Sequence, residues 1–369
     1  MNEAGNLYQI VEYDFDDNEK RNAQSKARVD VTAILNRIGA KEIVLCPNNG
    51  KRKSLGIVRK ALSHVDVYRY WKEKTEDLVS GDVLVVQFPV LSHSLLFWRV
   101  MAGLSKRGVR VILLLHDLEL IRTGIKKGSG LLKRARINTE SKSPLKRASC
   151  IITHNALMTE TLSSLMGDAI RKRCVSIELF DYITGFQPKS KVPTSHSVII
   201  AGNLSPDKAG YLQKLPSSIP FKLYGNGYLH KEGDSNISYL GSFPPDELPS
   251  IIDGSFGLVW DGPSVATCSG VYGQYLKVNN PHKTSLYLAA GIPVIVWSEA
   301  AIASFVKKEG VGSVVDSLLD LDGVLEGLDS SKYESMRKAA EMIGAKIRSG
   351  FYTESAIDKC IKAISTGTV

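Results

Sequence analysis

Long apolar runs, clustered cysteines and, across one stretch, acidic residues are what this sequence lacks. No segment approaches the ~18 uninterrupted apolar residues of a membrane-spanning helix, and the polar start has no secretory core. The five cysteines (46, 150, 174, 268 and 360) are odd in number and scattered, without a Cys-x-x-Cys or Cys/His cluster. That excludes a disulfide framework and a zinc site and places the chain in a reducing cytoplasm. No repeat of fixed period and no low-complexity tract occurs, which leaves ordinary globular domains. Acids nearly vanish between Arg122 and Arg147, where nine Lys/Arg stand against Glu140 alone, a surplus of eight within a net charge of +9. This stretch has no aromatic interleaving and matches no nucleic-acid reader, so no nucleic acid is expected as a partner. Interleaved Leu131, Leu132 and Ile137 make it partly amphipathic. It suits an anionic membrane surface, with Lys126, Lys127, Lys133 and Arg134 as contacts to the membrane or to a substrate presented there. A merely solvated loop is the plainer alternative.

What is present is a soluble globular composition, 43% hydrophobic and 23% charged, in 369 residues, which is long for one core. Short apolar strands alternate with helical patterns, the signature of parallel-sheet βαβ units. In the first half the strands are Leu7–Tyr13, Glu42–Cys46, His64–Tyr70, Asp82–Phe88, Val109–Leu115, Ser149–Thr153 and Cys174–Leu179. Helices cover Asn22–Ile38, Leu55–Leu62, Ser92–Lys106 and Ala156–Met166. The Lys/Ser/Pro-rich stretch 188–195 reads as a linker. Alternation restarts with strands at Ser197–Ala201, Phe221–Tyr224, Ile237–Leu240, Phe256–Trp260, Val294–Trp297 and Ser313–Val315. Helical stretches over Leu318–Leu328, Ser331–Ser349 and Thr353–Ile364 close the chain. The expected class is α/β, with two Rossmann-like domains facing a cleft. They would span 1–187 and 196–350, with a C-terminal helix at 351–369 packing back on the first domain.

The richest segment is Asn280-Pro-His-Lys-Thr-Ser-Leu-Tyr-Leu-Ala-Ala-Gly-Ile-Pro-Val-Ile-Val296. Pro281 opens a helix, Gly291 closes it in the left-handed conformation, and a buried strand follows. Packing does not demand His282-Lys283-Thr284-Ser285 in the first turn. A helix N-terminus offers free N–H groups and partial positive charge, and Lys283 adds a full charge, which makes an anion site suited to a diphosphate. A solvated lysine is the bland alternative. The preceding strand Ser255–Trp260 and the polar loop from Asp261 favour the ligand site, because α/β sheets bind at strand C-termini.

These runs, with Gly81-Asp-Val-Leu-Val-Val-Gln-Phe-Pro89, Val111-Ile-Leu-Leu-Leu-His-Asp117 and Ala201-Gly-Asn-Leu204, resemble a group of bacterial GT-B sugar transferases. That group includes β-1,6-galactofuranosyltransferases of surface polysaccharide synthesis and the glucosyltransferase of serine-rich streptococcal adhesins. The resemblance spans about residues 20–365. It implies a GT-B fold and transfer of a hexosyl unit, galactofuranose or glucose, from a UDP-sugar to a sugar hydroxyl of a surface polysaccharide or other lipid-linked or protein-linked glycan. It assigns Lys283, with Thr284 and Ser285 in the same turn, to the diphosphate. Lys208 stands near a second basic phosphate ligand, with Gly202 and Asn203 in the same loop, and Tyr224 would border or stack on the base. Asn22 and Gln24 would approach the sugar or phosphate. Inversion is the favoured outcome, and no cofactor or metal is expected, because basic groups and helix N-termini can stabilise the leaving UDP.

Asp117, at the end of a buried strand, is the candidate base, with Glu119 second; helix capping is the alternative for Asp117. The Asp14-Phe-Asp16-Asp17 run matches a metal-binding DxD pattern but reads better as a solvated acidic turn. A nucleotide-sugar epimerase or hydrolase, or a catalytically silent UDP-sugar-binding partner subunit, are the rival functions. Self-association is left open. Peripheral contact with the inner face of the plasma membrane follows only from the basic segment.

Overall fold

The structure, a computed structural model, describes residues 5–12, 23–46, 57–91, 95–125, 130, 135–188, 197–230 and 235–368. The side chains of residues 23, 24, 57–62 and 123–125 also fall outside that description. The chain divides into two compact units. The first comprises Met1–Lys20, Val31–Ile177 and Thr353–Val369; the second comprises Arg21–Asp30 and Glu178–Tyr352. The division at 177/178 falls ahead of the 188–195 stretch, and the C-terminal residues group with the first unit. The start of the first long helix groups with the second. Among the described residues no helix is long and apolar enough to cross a membrane.

Each unit is built on a six-stranded, all-parallel sheet. In the first unit the strands are β1 (Leu7–Glu12), β2 (Lys41–Leu45), β3 (Val83–Phe88), β4 (Arg110–Leu115), β5 (Cys150–Thr153) and β6 (Cys174–Ser176). They run in the order β2-β1-β3-β4-β5-β6. The central strands read as continuous apolar runs because helices cover both faces; every residue of β3 is buried, whereas edge strand β2 is mostly exposed. Helices α1 (Ala23–Arg37), α2 (Ile57–Lys74), α3 (Phe97–Lys106) and α4 (Glu119–Ile125) stand between these strands.

One expected strand is a helix. His64–Tyr70 lies inside α2, which absorbs it together with the short helix expected before it. The alternating Val65, Val67 and aromatic residues mimic a strand. Val67, Trp71, Thr75 and Leu78 are the buried positions, at spacings of three and four that only a helix and its first following turn place on one face. Trp71 meets the α3 residue Phe97 edge-on, ring centroids 4.9 Å apart, which anchors that face. Within the basic stretch, a π-helical turn at Asn138–Lys142 runs into a helical turn at Ser143–Arg147.

The second sheet contains β7 (Val198–Asn203), β8 (Phe221–Asn226), β9 (Ile237–Tyr239), β10 (Phe256–Val259), β11 (Val294–Trp297) and β12 (Gly312–Val315). Its order is β12-β11-β10-β7-β8-β9, so successive strands leave β7 in one direction and β10 in the other. The ends of β7 and β10 therefore form the switch point at which parallel sheets leave a crevice. Helix α5 (His282–Ala289) sits over this point, backed by α6 (Ser330–Ser349); α7 (Phe351–Thr366) ends the fold. Two glycines allow the close approach. A Cβ on Gly257 of β10 would lie 2.1 Å from the Tyr287 ring of α5, and one on Gly344 of α6 would lie 2.1 Å from the Leu288 carbonyl. Arg348 then donates to the Ala289 carbonyl at 2.6 Å, satisfying the C-terminal end of α5.

In the first unit the strand ends carry buried polar groups. His116, just past β4, pairs through Nε2 with Gln87 Oε1 of β3 at 2.8 Å. His154, just past β5, is fully enclosed. Burial pushes its imidazole down to about 4, outweighing the opposing pull of the Asp117 carboxylate. A histidine neutral when folded and free to charge when unfolded makes the unfolded chain bind more protons between pH 6.5 and about 4. Its contribution is thus present above pH 6.5 and is lost as the pH falls through that window. We expect denaturant unfolding of the first unit to lose on the order of 1–2 kcal/mol between pH 7 and 5 from this residue. The loss should be missing from His154→Gln. Equal pH slopes for the two proteins would overturn the assignment.

Candidate active site

Helix α5 starts one residue later than expected. Pro281 is its N-cap, with φ −67° and ψ 133°, and Gly291 takes φ +73° beyond its end. The side chain of Tyr287 fixes the helix over the switch point. Strands β7 and β10 pair only through Val198 and Ile199. Past that register the Tyr287 hydroxyl stands between them, accepting from the Ala201 N–H at 2.8 Å and facing the Leu258 carbonyl at 3.4 Å.

The first turn of α5 divides its four polar residues between two tasks. His282 and Ser285 belong to packing, contrary to the sequence reading. The Ser285 hydroxyl donates to the Phe180 carbonyl at 2.6 Å, and the His282 Nε2 lies 3.2 Å from the Asp181 carbonyl. The His282 ring stacks on Tyr182, centroids 5.0 Å apart, and burial lowers its imidazole to about 4. Asn280 donates to the Glu178 carbonyl. Three side chains thus hold the 178–181 backbone. Ser285 is a strut in this arrangement, with its hydroxyl already committed.

Lys283 and Thr284 make none of these contacts to the 178–181 backbone. The Lys283 ammonium lies at the end of β10, 2.9 Å from Asp261 Oδ1 and 3.1 Å from the Trp260 carbonyl. Its side chain is 13% exposed and that of Asp261 8%. The Thr284 Oγ1 is completely buried and has no hydrogen-bond partner, a rare condition for a buried hydroxyl.

The loop after β7 comes to the same place. Gly202 adopts φ +125°, and a Cβ on its β8 neighbour Gly225 would lie 1.8 Å from the Gly202 carbonyl. Gly202 and Asn203 are exposed, and Asn203 Oδ1 accepts from the Ser205 N–H at 2.9 Å. The Lys208 carbonyl accepts from the Gly262 N–H at 2.7 Å, and the Gly262 carbonyl accepts from Tyr211 N–H at 3.1 Å. The Lys208 ammonium lies 5.6 Å from the Tyr272 ring centroid. Backbone pairing thus sets the Lys208 main chain against Gly262, the neighbour of Asp261, although 75 positions separate Lys208 from Lys283.

Tyr224 stands differently from the expectation. It is 2% exposed, its ring is set against Phe243 at 6.2 Å, and its hydroxyl accepts from the Asp253 N–H at 3.3 Å. Stacking on a base would require uncovering that ring. Asn22 lies outside the described residues, as does the side chain of Gln24. The nearby Lys26 is described. It is 2.5 Å from Asp30, 2.8 Å from Asp246 and 2.7 Å from the Ile183 carbonyl, and it covers the Tyr182 ring on which His282 stacks. Burial lifts the Asp30 carboxyl to about 6 against the pull of Lys26. The start of α1 is therefore tied to the strut network behind α5.

In the first unit, Asp117 follows β4 and is half-exposed, with Arg122 donating to its Oδ2 at 2.7 Å. Glu119 begins α4 and lies 3.8 Å from Arg136. Lys126, Lys127, Lys133, Arg134 and the Asp14–Asp17 run lie outside the described residues. Among the described residues no group of three or more His, Cys, Asp or Glu could hold a metal ion. The sequence alone points to no role for Asp261, Tyr272 or Tyr287. The only signal for Asp261 was its position, an acid directly after an apolar strand and before Gly-Pro.

Comparison with known proteins agrees with this architecture. Two family models match, "Glucosyltransferase 3-like, N-terminal domain" over residues 8–167 and "Glucosyltransferase 3-like, C-terminal domain" over residues 198–360. Over 355 residues the chain is 31% identical to the beta-1,6-galactofuranosyltransferase WbbI of Escherichia coli (strain K12), covering 94% of this chain and 97% of that one. It is 32% identical over 137 residues to Glucosyltransferase 3 of Streptococcus gordonii, covering 36% of this chain and 39% of that relative. Sucrose-phosphate synthase from Thermosynechococcus elongatus has the same fold, with TM-score 0.64 and 13% identity over 98% of both chains. So does Anabaena HepE in complex with UDP, with TM-score 0.59 and 11% identity over 98% of this chain and all of that one. The two parallel sheets are those of a GT-B enzyme, and the chain belongs to the Glucosyltransferase 3-like family of glycosyltransferases.

Proposed function

We propose that this glycosyltransferase takes a hexosyl unit, galactofuranose or glucose, from a UDP-sugar and passes it to a sugar hydroxyl of a surface polysaccharide or of a lipid-linked or protein-linked glycan. The observation that carries the donor reading is the Lys283 ammonium and the unpartnered Thr284 hydroxyl in one helical turn at the switch point of the second sheet. The α5 N-terminus adds free N–H groups and partial positive charge, and Lys208 a second ammonium. These groups stabilise the charge that gathers on the leaving UDP, so no metal is needed. WbbI and Glucosyltransferase 3 are named for galactofuranosyl and glucosyl transfer, and HepE holds UDP, which favours the same donor class. Lys283→Ala should weaken UDP binding in calorimetry by about 1.5–3 kcal/mol, the scale of a charge-assisted hydrogen bond. EDTA should leave turnover intact. Unchanged UDP affinity would remove the donor reading, and an absolute need for Mg²⁺ or Mn²⁺ would bring back the Asp14–Asp17 run.

For an inverting transfer one carboxylate must accept the acceptor proton; Asp117, just past β4, is our candidate, with Glu119 next along the chain. Asp117→Asn should lower kcat about 10²–10⁴-fold with UDP binding kept. A variant that is less stable yet turns over normally per folded molecule would make Asp117 a structural partner of Arg122.

The surplus of eight charges in 122–147 suits the phosphates of a lipid-linked acceptor at an anionic bilayer. Vesicles containing anionic lipid should bind the protein, less so as salt rises. Neutralising Lys126, Lys127, Lys133 and Arg134 together should abolish this and slow turnover of lipid-linked acceptor alone. Equal loss with a short soluble acceptor would overturn the membrane role.

A further inference from the structure

We propose that Asp261 is a discriminating residue: its carboxylate disfavours the spent nucleotide more than the intact donor, and so drives product release. This rests on the reading of Lys283 as the diphosphate ligand. The Lys283 charge is not simply available to an anion. Asp261, 8% exposed, lies 2.9 Å from the ammonium, so a full negative charge is buried where phosphate oxygens would gather. Asp261 is not the sole anchor of the lysine. The Trp260 carbonyl holds the same ammonium at 3.1 Å, and the Lys283 Cα is fixed in α5 by Tyr287 below it. A carboxylate needed only for positioning would be redundant here. It also carries a cost, because each phosphate charge meets repulsion in a poorly screened site.

That cost differs between donor and product. In the transfer the bond from the anomeric carbon to the β-phosphate oxygen breaks, and its electron pair stays on that oxygen. The acceptor oxygen bonds to the anomeric carbon and gives its proton to the base. UDP therefore carries one more negative charge than the UDP-sugar, on the β-phosphate. A fixed carboxylate beside Lys283 opposes the additional charge, whereas Lys283 alone would favour it. Lys283 helps the leaving group form, and Asp261 keeps the formed UDP from staying.

Removing the charge while keeping the shape separates these roles. Asp261→Asn should bind UDP about tenfold or more tightly than wild type. Affinity for the intact donor, whichever of UDP-glucose and UDP-galactofuranose supports turnover, should change less. The inhibition constant for UDP should fall in step and kcat should drop. Asp261→Ser removes the same charge with a smaller side chain and should shift UDP in the same direction if the amide disturbs folding. Unchanged or weaker UDP binding in both would overturn the proposal and make Asp261 a positioner of Lys283. A larger effect on the donor than on UDP would also overturn it, because the carboxylate would then contact the sugar. Lys283→Ala measured alongside keeps the two ideas apart. If it leaves UDP binding unchanged, the donor reading itself is wrong. If it weakens UDP binding while Asp261→Asn and Asp261→Ser do not tighten it, only the role of Asp261 falls.

Discussion

The site depends on the Tyr287 hydroxyl standing where β7 and β10 part. Parallel strands that diverge leave backbone groups without a ladder partner, and buried groups in that state are costly. Tyr287 takes the Ala201 N–H and faces the Leu258 carbonyl, so the sheet can open without leaving both groups unmatched. The same side chain spans α5 to the sheet, and its ring fits only because Gly257 has no Cβ. The crevice, the height of α5 above it and the reach of Lys283 to the end of β10 all follow from one phenol.

Around that wedge, polar side chains at the start of α5 face two ways. Asn280, His282 and Ser285 bind the backbone at 178–181, Lys283 reaches the end of β10, and the Thr284 hydroxyl is buried without a partner. The first group makes the helix rigid. The second is what the proposed donor site draws on. A buried hydroxyl without a partner is a departure from ordinary packing, and the proposed donor site accounts for it together with the lysine balanced by a carboxylate.

Much of the fold was legible from the residues. Continuous apolar runs such as Val83–Phe88 and Phe256–Val259 are strands that helices cover on both faces, and their number and spacing set two parallel sheets. The stretch 64–70 misled, because β-branched and aromatic residues alternate there by chance of composition; only the burial of Val67 and Trp71 shows the helical face. Within the candidate site, the positions of Lys283 in the first turn of a helix and of Lys208 after a strand end could be read from the sequence. The commitment of Ser285 and the burial of Tyr224 could not, since both depend on what backbone lies opposite.

The sequence by itself determined the α/β class, the two sheets, the helix with lysine in its first turn and the basic surplus after β4. These are consequences of periodicity, capping and net charge, which act over a few residues at a time. Tertiary structure alone decided that the Lys208 backbone pairs with Gly262 next to Asp261, that Asp261 pairs with Lys283 and that Lys26 at the start of α1 pairs with Asp246. Those pairings join positions 22 to 220 residues apart. They exist because two strands that are distant in sequence end side by side at the switch point, and because α1 reaches across the chain to Asp246.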